Sequence, residues 1–152
     1  MNILALWKKQ LRGVLMMQEK GMFDKRVYSA NRQGRIIDKG IYNGFSFYIV
    51  SYGSHPCIYI EIPSSHKFYQ KDYDDIDDFR CHGGLTFSNS HLLNMDDSWF
   101  IGWDYAHLGD YAFYPPYYDE PWSRFLLEHN EAGHMWTAEE LLQEALSAIE
   151  QL

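Results

Sequence analysis

Long hydrophobic runs are missing from this chain of 152 residues. Nowhere do apolar residues accumulate to the ~18 that a membrane-crossing helix needs. The opening MNILALWKKQLRGVLMM carries lysines inside its apolar stretch and no small-residue cleavage site, so it does not read as a signal peptide. Cysteine is scarce: Cys57 and Cys81 are too few for a disulfide framework or a closed thiolate zinc site, and free thiols in a cytoplasmic protein are expected. Positive charge is also short. Thirteen Lys and Arg against 21 Asp and Glu give a net charge of −8, and a surface of that sign repels a phosphate polymer. A nucleic-acid polymer and a membrane are therefore poor partners. The phosphate loop GxxxxGK[ST], the dinucleotide fingerprint GxGxxG, the zincin HExxH, CxxC and the nucleophile elbow GxSxG are all absent, as is any His-x-Ser/Thr.

What is present is enough for one folded domain spanning 1–152: 46% hydrophobic residues against 22% charged. Ile3, Leu4, Trp7, Leu11, Val14 and Leu15 recur at three- and four-residue spacing, which predicts an amphipathic helix over 1–20. Region 26–122 reads as a sheet with a long aromatic loop. Short strands are expected at Val27–Ala30 and Arg35–Asp38 around an Asn31–Gly34 turn, a hairpin from Phe45–Val50 and Cys57–Ile62, and two further strands at His82–Phe87 and Trp99–Trp103. Thr137-Ala-Glu-Glu140 has the capping-box form and opens a helix over 137–151, with Leu141, Leu142, Ala145, Leu146 and Ile149 on one face. The order is that of an α+β domain, an antiparallel sheet of about five strands flanked by an N-terminal and a C-terminal helix. Two apolar helical stripes and so many rings exceed what a domain of this size can bury, so a homo-oligomer with Trp7 and Leu11 at or near the contact is expected.

Three stretches carry candidate chemistry. In Cys81-His82-Gly83-Gly84-Leu85-Thr86, paired glycines permit close approach of backbone to a ligand, and on a strand His82 and Thr86 would share a face. Asp104, His107 and Asp110 are spaced three apart beyond a strand and converge if that segment turns helically. With His82 they form a carboxylate–imidazole set able to hold a divalent metal ion or act as a base, the basis of a metal-dependent phosphodiesterase reading. Ten of the 24 residues from Trp99 to Trp122 are aromatic, more than one strand needs for packing, and Pro115-Pro116 would hold some of them as plates for a purine base or a subunit contact. The aspartates of 72–78 lack the sixth-position Gly and closing Glu of an EF-hand; they read as a solvated acidic loop, or as a surface that docks on a basic host protein.

The blocks Ile60–His66, Lys71–Ile76, His82–Ser88 (HGGLTFS) and Ile101–Asp110 (with GWDYAH), followed by the Trp136-Thr-x-Glu-Glu helix start, resemble a family of small proteins common in bacteriophages and prophages. The resemblance covers about Phe45 to Leu152 and carries no catalytic residues with it. It implies a phage accessory protein acting in the cytoplasm of an infected bacterium, in the manner of the Sequestin and Lockin types that sequester nucleotide immune signals. The leading expectation is thus a non-enzymatic protein holding a small nucleotide signal, such as a cyclic ADP-ribose variant or a cyclic dinucleotide, with no cofactor. Trp103, Tyr105 and Tyr111 would stack on a base, His82 and Thr86 would contact phosphate or ribose, Arg80 or Arg124 would balance charge, and Gly83, Gly84, Asp104 and His107 complete the expected ligand-binding set.

Overall fold

The computed structural model describes residues 23–114 and 133–152. Five strands, β1 (Arg35–Tyr42), β2 (Phe45–Ser51), β3 (Pro56–Glu61), β4 (Phe87–Asn89) and β5 (Phe100–Asp104), form one antiparallel sheet in the order β1-β2-β3-β5-β4. One helix, α1 (Ala138–Ile149), follows. The helix expected over 1–20 and the Trp7 and Leu11 contact lie outside the described residues.

The β1–β2 hairpin turns on Asn43-Gly44, with φ of 49° and 81°. Both values are left-handed, the requirement of the tight turn whose twist matches paired strands. β2 and β3 pair from Phe47↔Ile60 to Ser51↔Pro56, and β3 lies between β2 and β5, so its residues are buried on both faces. On one face Ile49, Ile58, Ile60, Ile101, Trp103 and Tyr105 pack with Leu141, Ala145 and Ile149 of α1. On the other, Val50, Cys57, Tyr59 and Phe100 form a smaller cluster with Leu92, whose segment folds back through the bridge Leu92↔Met95. β1 is an edge strand. A register shift between Ile36 and Asp38, together with Lys39 on that edge, interrupts the pairing template an exposed edge offers.

The capping box of α1 is formed as the sequence predicts: Glu140 N donates to Thr137 Oγ1 (3.2 Å) and Thr137 N to Glu140 Oε2 (2.9 Å). Asp24 adds a second cap that the sequence does not announce. Its Oδ2 accepts from Ala138 N (2.9 Å), and Arg26 bridges Asp24 and Glu139, each at 2.7 Å. Burial alone would raise Asp24, but the bonds from Arg26 and the Ala138 amide outweigh it and hold the carboxyl below its usual range.

Two expected strands are corrected. Val27–Ala30 is not a strand; it contributes one bridge, Tyr28↔Gly53. His82–Phe87 is not one either: Gly83 and Gly84 stand at φ +69° and +85°, which breaks a ladder, and strand pairing begins only at Phe87. His82 and Thr86 therefore reach their partners from a turn, not from one face of a strand. In the acidic run, Asp72 caps a single 3-10 turn (Tyr73–Asp75), Asp78 pairs with Lys67 (2.6 Å), and buried Ile76 and Phe79 pin the loop to the core.

Candidate functional site

Beyond the C-terminal end of β5 the chain makes a tight turn in which Asp110 N donates to His107 O (3.0 Å). That turn brings together residues spaced three apart. Asp110 is 3% exposed and accepts three hydrogen bonds: from Trp136 Nε1 on Oδ1 (2.9 Å), and from His107 N (3.0 Å) and His82 Nε2 (2.8 Å) on Oδ2. Burial pushes its carboxyl up, and these donors more than offset the push, leaving it below the usual carboxylate range. His107 Nδ1 lies 3.6 Å from Asp110 Oδ2 and 3.6 Å from Asp104 Oδ1, and it is buried without a hydrogen-bond partner. Asp104 accepts from Thr86 Oγ1 (3.1 Å) and Ala106 N (3.1 Å).

The imidazoles are held from outside the cluster. His82 stacks on Tyr105 with ring centroids 4.6 Å apart and planes within 6°. Its edges meet His107 at 5.4 Å and Trp136 at 5.2 Å. His107 lies over Gly83, where a Cβ would come within 2.3 Å of the ring, so a residue at φ +69° with no side chain is required there.

On the sheet face carrying Cys57 and Tyr59, a cleft of about 500 Å³ opens next to Asp104. Tyr52, Tyr59 and Phe87 give it aromatic walls, and Arg32, His55 and Asp104 give it polar groups. Tyr52 and Tyr59 join through their hydroxyls (3.1 Å), and Tyr52 stacks on His55 at 5.9 Å. Arg32 NH2 donates to Phe113 O (2.6 Å), which fixes the one Lys or Arg that lines this wall among the described residues. Ser54 Oγ and His55 Nδ1 are 2.8 Å apart. Burial lowers His55 below its ordinary value, so the neutral ring is favoured in the folded protein. The unfolded chain takes up this proton at the ordinary value of ~6.5. The stabilisation is thus complete above that pH and lost as pH falls below it. The melting temperature is expected to drop between about pH 7 and 5 and to drop less in His55→Gln; equal slopes in the two proteins would refute this.

Of the residues singled out from sequence, His82, His107 and Asp110 come together, Asp104 stands beside His107, and Thr86, Trp103 and Asp104 line the cleft. Trp103 and Tyr105 do not present faces to a base. They are 1% and 0% exposed, and the Trp103 indole donates to the Tyr105 hydroxyl (3.0 Å), which is 3.2 Å from Glu144 Oε2. Tyr111 packs edge-on against Tyr28 at 4.9 Å. Gly84 faces open space. Arg80 is exposed, its backbone paired with the Gln151 amide near the end of α1, and Arg124 lies outside the described residues. Burial pushes both Cys57 and Cys81 up to about 12, so neither thiol is a thiolate at neutral pH.

Sequence reasoning missed Arg32, Tyr52 and His55. The available signal is the Ser51–Pro56 connection itself, a loop between two core strands that carries a His and a Tyr where a turn needs neither. Trp136 was read only as part of a helix start; its indole is what orients Asp110.

Fold and site together define a small α+β domain whose antiparallel sheet bears an aromatic cleft on one face and a His–Asp–His cluster at the end of β5. No protein-family model matches the chain, and no curated protein or solved structure matches it. Among the described residues, no helix is long and apolar enough to cross a membrane.

Proposed function

We propose that this protein binds a small nucleotide-class ligand in the cleft between Arg32, Tyr52, His55 and Asp104 and holds it without using it up. The observation that carries the reading is the pairing, in one cleft of about 500 Å³, of aromatic walls with a fixed guanidinium and a carboxylate on opposite sequence segments. A volume of that size suits a small molecule. The half-buried Tyr52 ring offers a stacking face, Arg32 offers donors to phosphate, and Asp104 with Thr86 accepts from ribose hydroxyls or an exocyclic amine. The net charge of −8 favours a single small anion at one cation over a polymer. In the phage setting implied by the HGGLTFS and GWDYAH blocks, the ligand would be a nucleotide immune signal withdrawn from its receptor.

Calorimetry against cyclic ADP-ribose variants, cyclic dinucleotides and mononucleotides tests this. One member is expected to bind at micromolar Kd or tighter and to be recovered intact after heat denaturation. Tyr52→Ala is expected to weaken it about 5- to 150-fold, the equivalent of the ~1–3 kcal/mol that one base stack contributes. Arg32→Ala should weaken phosphorylated members more than their nucleosides. Absence of binding by every member at ~1 mM, or unchanged affinity in both folded variants, would overturn the reading.

A further inference from the structure

We propose that His82 Nε2, His107 Nδ1 and Asp110 Oδ2 form a binding site for one divalent transition-metal ion of the zinc class. One ligand atom from each of these three side chains, two imidazoles and a buried carboxylate, lies within 4.8 Å of the others, with His82 Nε2 2.8 Å and His107 Nδ1 3.6 Å from Asp110 Oδ2. Two nitrogens and one oxygen make a donor set for Zn²⁺, Co²⁺ or Fe²⁺, whereas Ca²⁺ and Mg²⁺ require oxygen cages.

Three features distinguish this cluster from an ordinary His–Asp contact. First, His107 Nδ1 is buried and has no hydrogen-bond partner, and it lies 3.6 Å from a carboxylate oxygen of each of Asp104 and Asp110. A buried polar atom left unpaired is costly, and a cation at that point satisfies it. Second, the outer partners are those a metal site needs. Trp136 Nε1 ties Asp110 Oδ1 and leaves Oδ2 to face the imidazoles, and Tyr105 fixes the plane of His82. Third, the His107 ring fits only because Gly83 has no side chain.

Binding would convert His82 from donor to ligand: the neutral ring carries its proton on Nδ1, and Nε2 turns its lone pair to the metal. Three protein ligands leave coordination positions open. Asp104 stands beside them, 3.6 Å from His107 Nδ1, and also lines the cleft, so a group bound to the metal would lie at the edge of the proposed ligand cleft. The site rests on its own donors and not on the nucleotide reading.

The test uses the full chain, stripped with chelator, and titrates Zn²⁺ and Co²⁺ alone by calorimetry and, for Co²⁺, by visible absorption. One ion per chain at micromolar Kd or tighter is expected, with a rise in melting temperature. His107→Gln and His82→Gln should each weaken binding by more than ~100-fold, beyond the 10–100-fold that loss of a supporting partner costs. Gly83→Ala keeps all three ligands but drives a Cβ into the His107 ring, and about 10- to 100-fold weakening is expected. His91→Ala, which removes an exposed imidazole paired with Asp96, should leave affinity unchanged. Substoichiometric binding of both ions, or equal affinity in wild type, His107→Gln and His82→Gln, overturns the proposal. Since no nucleotide is present, failure here and failure of the cleft reading are separate results.

Discussion

Replacing Asp110 with Ala is expected to lower the melting temperature by ~10 °C or more. Three donors converge on this 3% exposed carboxylate: the His82 ring, the Trp136 indole and the His107 amide. Truncation leaves all three without an acceptor, and each stranded buried group costs ~1–3 kcal/mol. A total near ~3 kcal/mol corresponds to about 10 °C for a domain of this size. Asp110→Asn should fall between, since its oxygen still accepts from Trp136 while its amide meets two other donors. Because its donors hold the Asp110 carboxyl below its usual range, the stabilisation that belongs to its ionised form is present above the unfolded value and is lost as pH falls through the folded one. Thermal denaturation followed by circular dichroism decides it, and a shift of Asp110→Ala within ~2 °C of wild type would show that the clasp does not stabilise the fold.

A comparable loss is expected from Gly53→Ala, for a different reason. Gly53 stands at φ +78°, and a Cβ there would lie 2.0 Å from Asn31 O and 2.7 Å from Ser29 O, both backbone atoms that cannot rotate away. Its own carbonyl accepts from Ser29 N (3.0 Å) and its amide donates to Ser51 Oγ (3.0 Å), so the segment leading to Arg32 is fastened here to the turn leading to His55. Gly44→Ala supplies the control: φ is +81° and nothing lies within 4 Å, so only the left-handed penalty of ~1–2 kcal/mol applies. Gly53→Ala should cost clearly more, and should weaken any ligand of the cleft as Arg32 and His55 move apart. Equal melting temperatures for the two variants would mean that the crossing of the two segments is not rigid.

How much was legible depended on the range of the interaction. Thr137 and Glu140 are three residues apart, and their reciprocal bonds are local, so α1 could be placed from the sequence. The β2–β3 hairpin was legible for the same reason, as two β-rich runs around a short turn. Asn43-Gly44 carried an equally strong signal, and the eight-residue β1 that it closes was read only in its first half because its exposed edge mixes charged and apolar residues. The HGGLT segment misled, since paired glycines beside β-prone residues permit a strand, and only the left-handed backbone at both glycines shows the turn.

The sequence by itself determined the class of fold, the helix cap and the three-residue spacing that allows Asp104, His107 and Asp110 to converge, because each follows from contacts between near neighbours. Only the tertiary structure decided which rings are core and which line the cleft. Trp103 and Tyr105 read as ligand plates and are almost wholly buried in the core, Trp103 reaching the cleft with only its 1% of exposed surface, while Tyr52 and His55, from the turn between β2 and β3, form a wall. It also decided that Trp136 orients Asp110 and that Gly83 makes room for His107. The physical reason is that these contacts join residues from separate elements, and their partners are set by how the two faces of the sheet are covered.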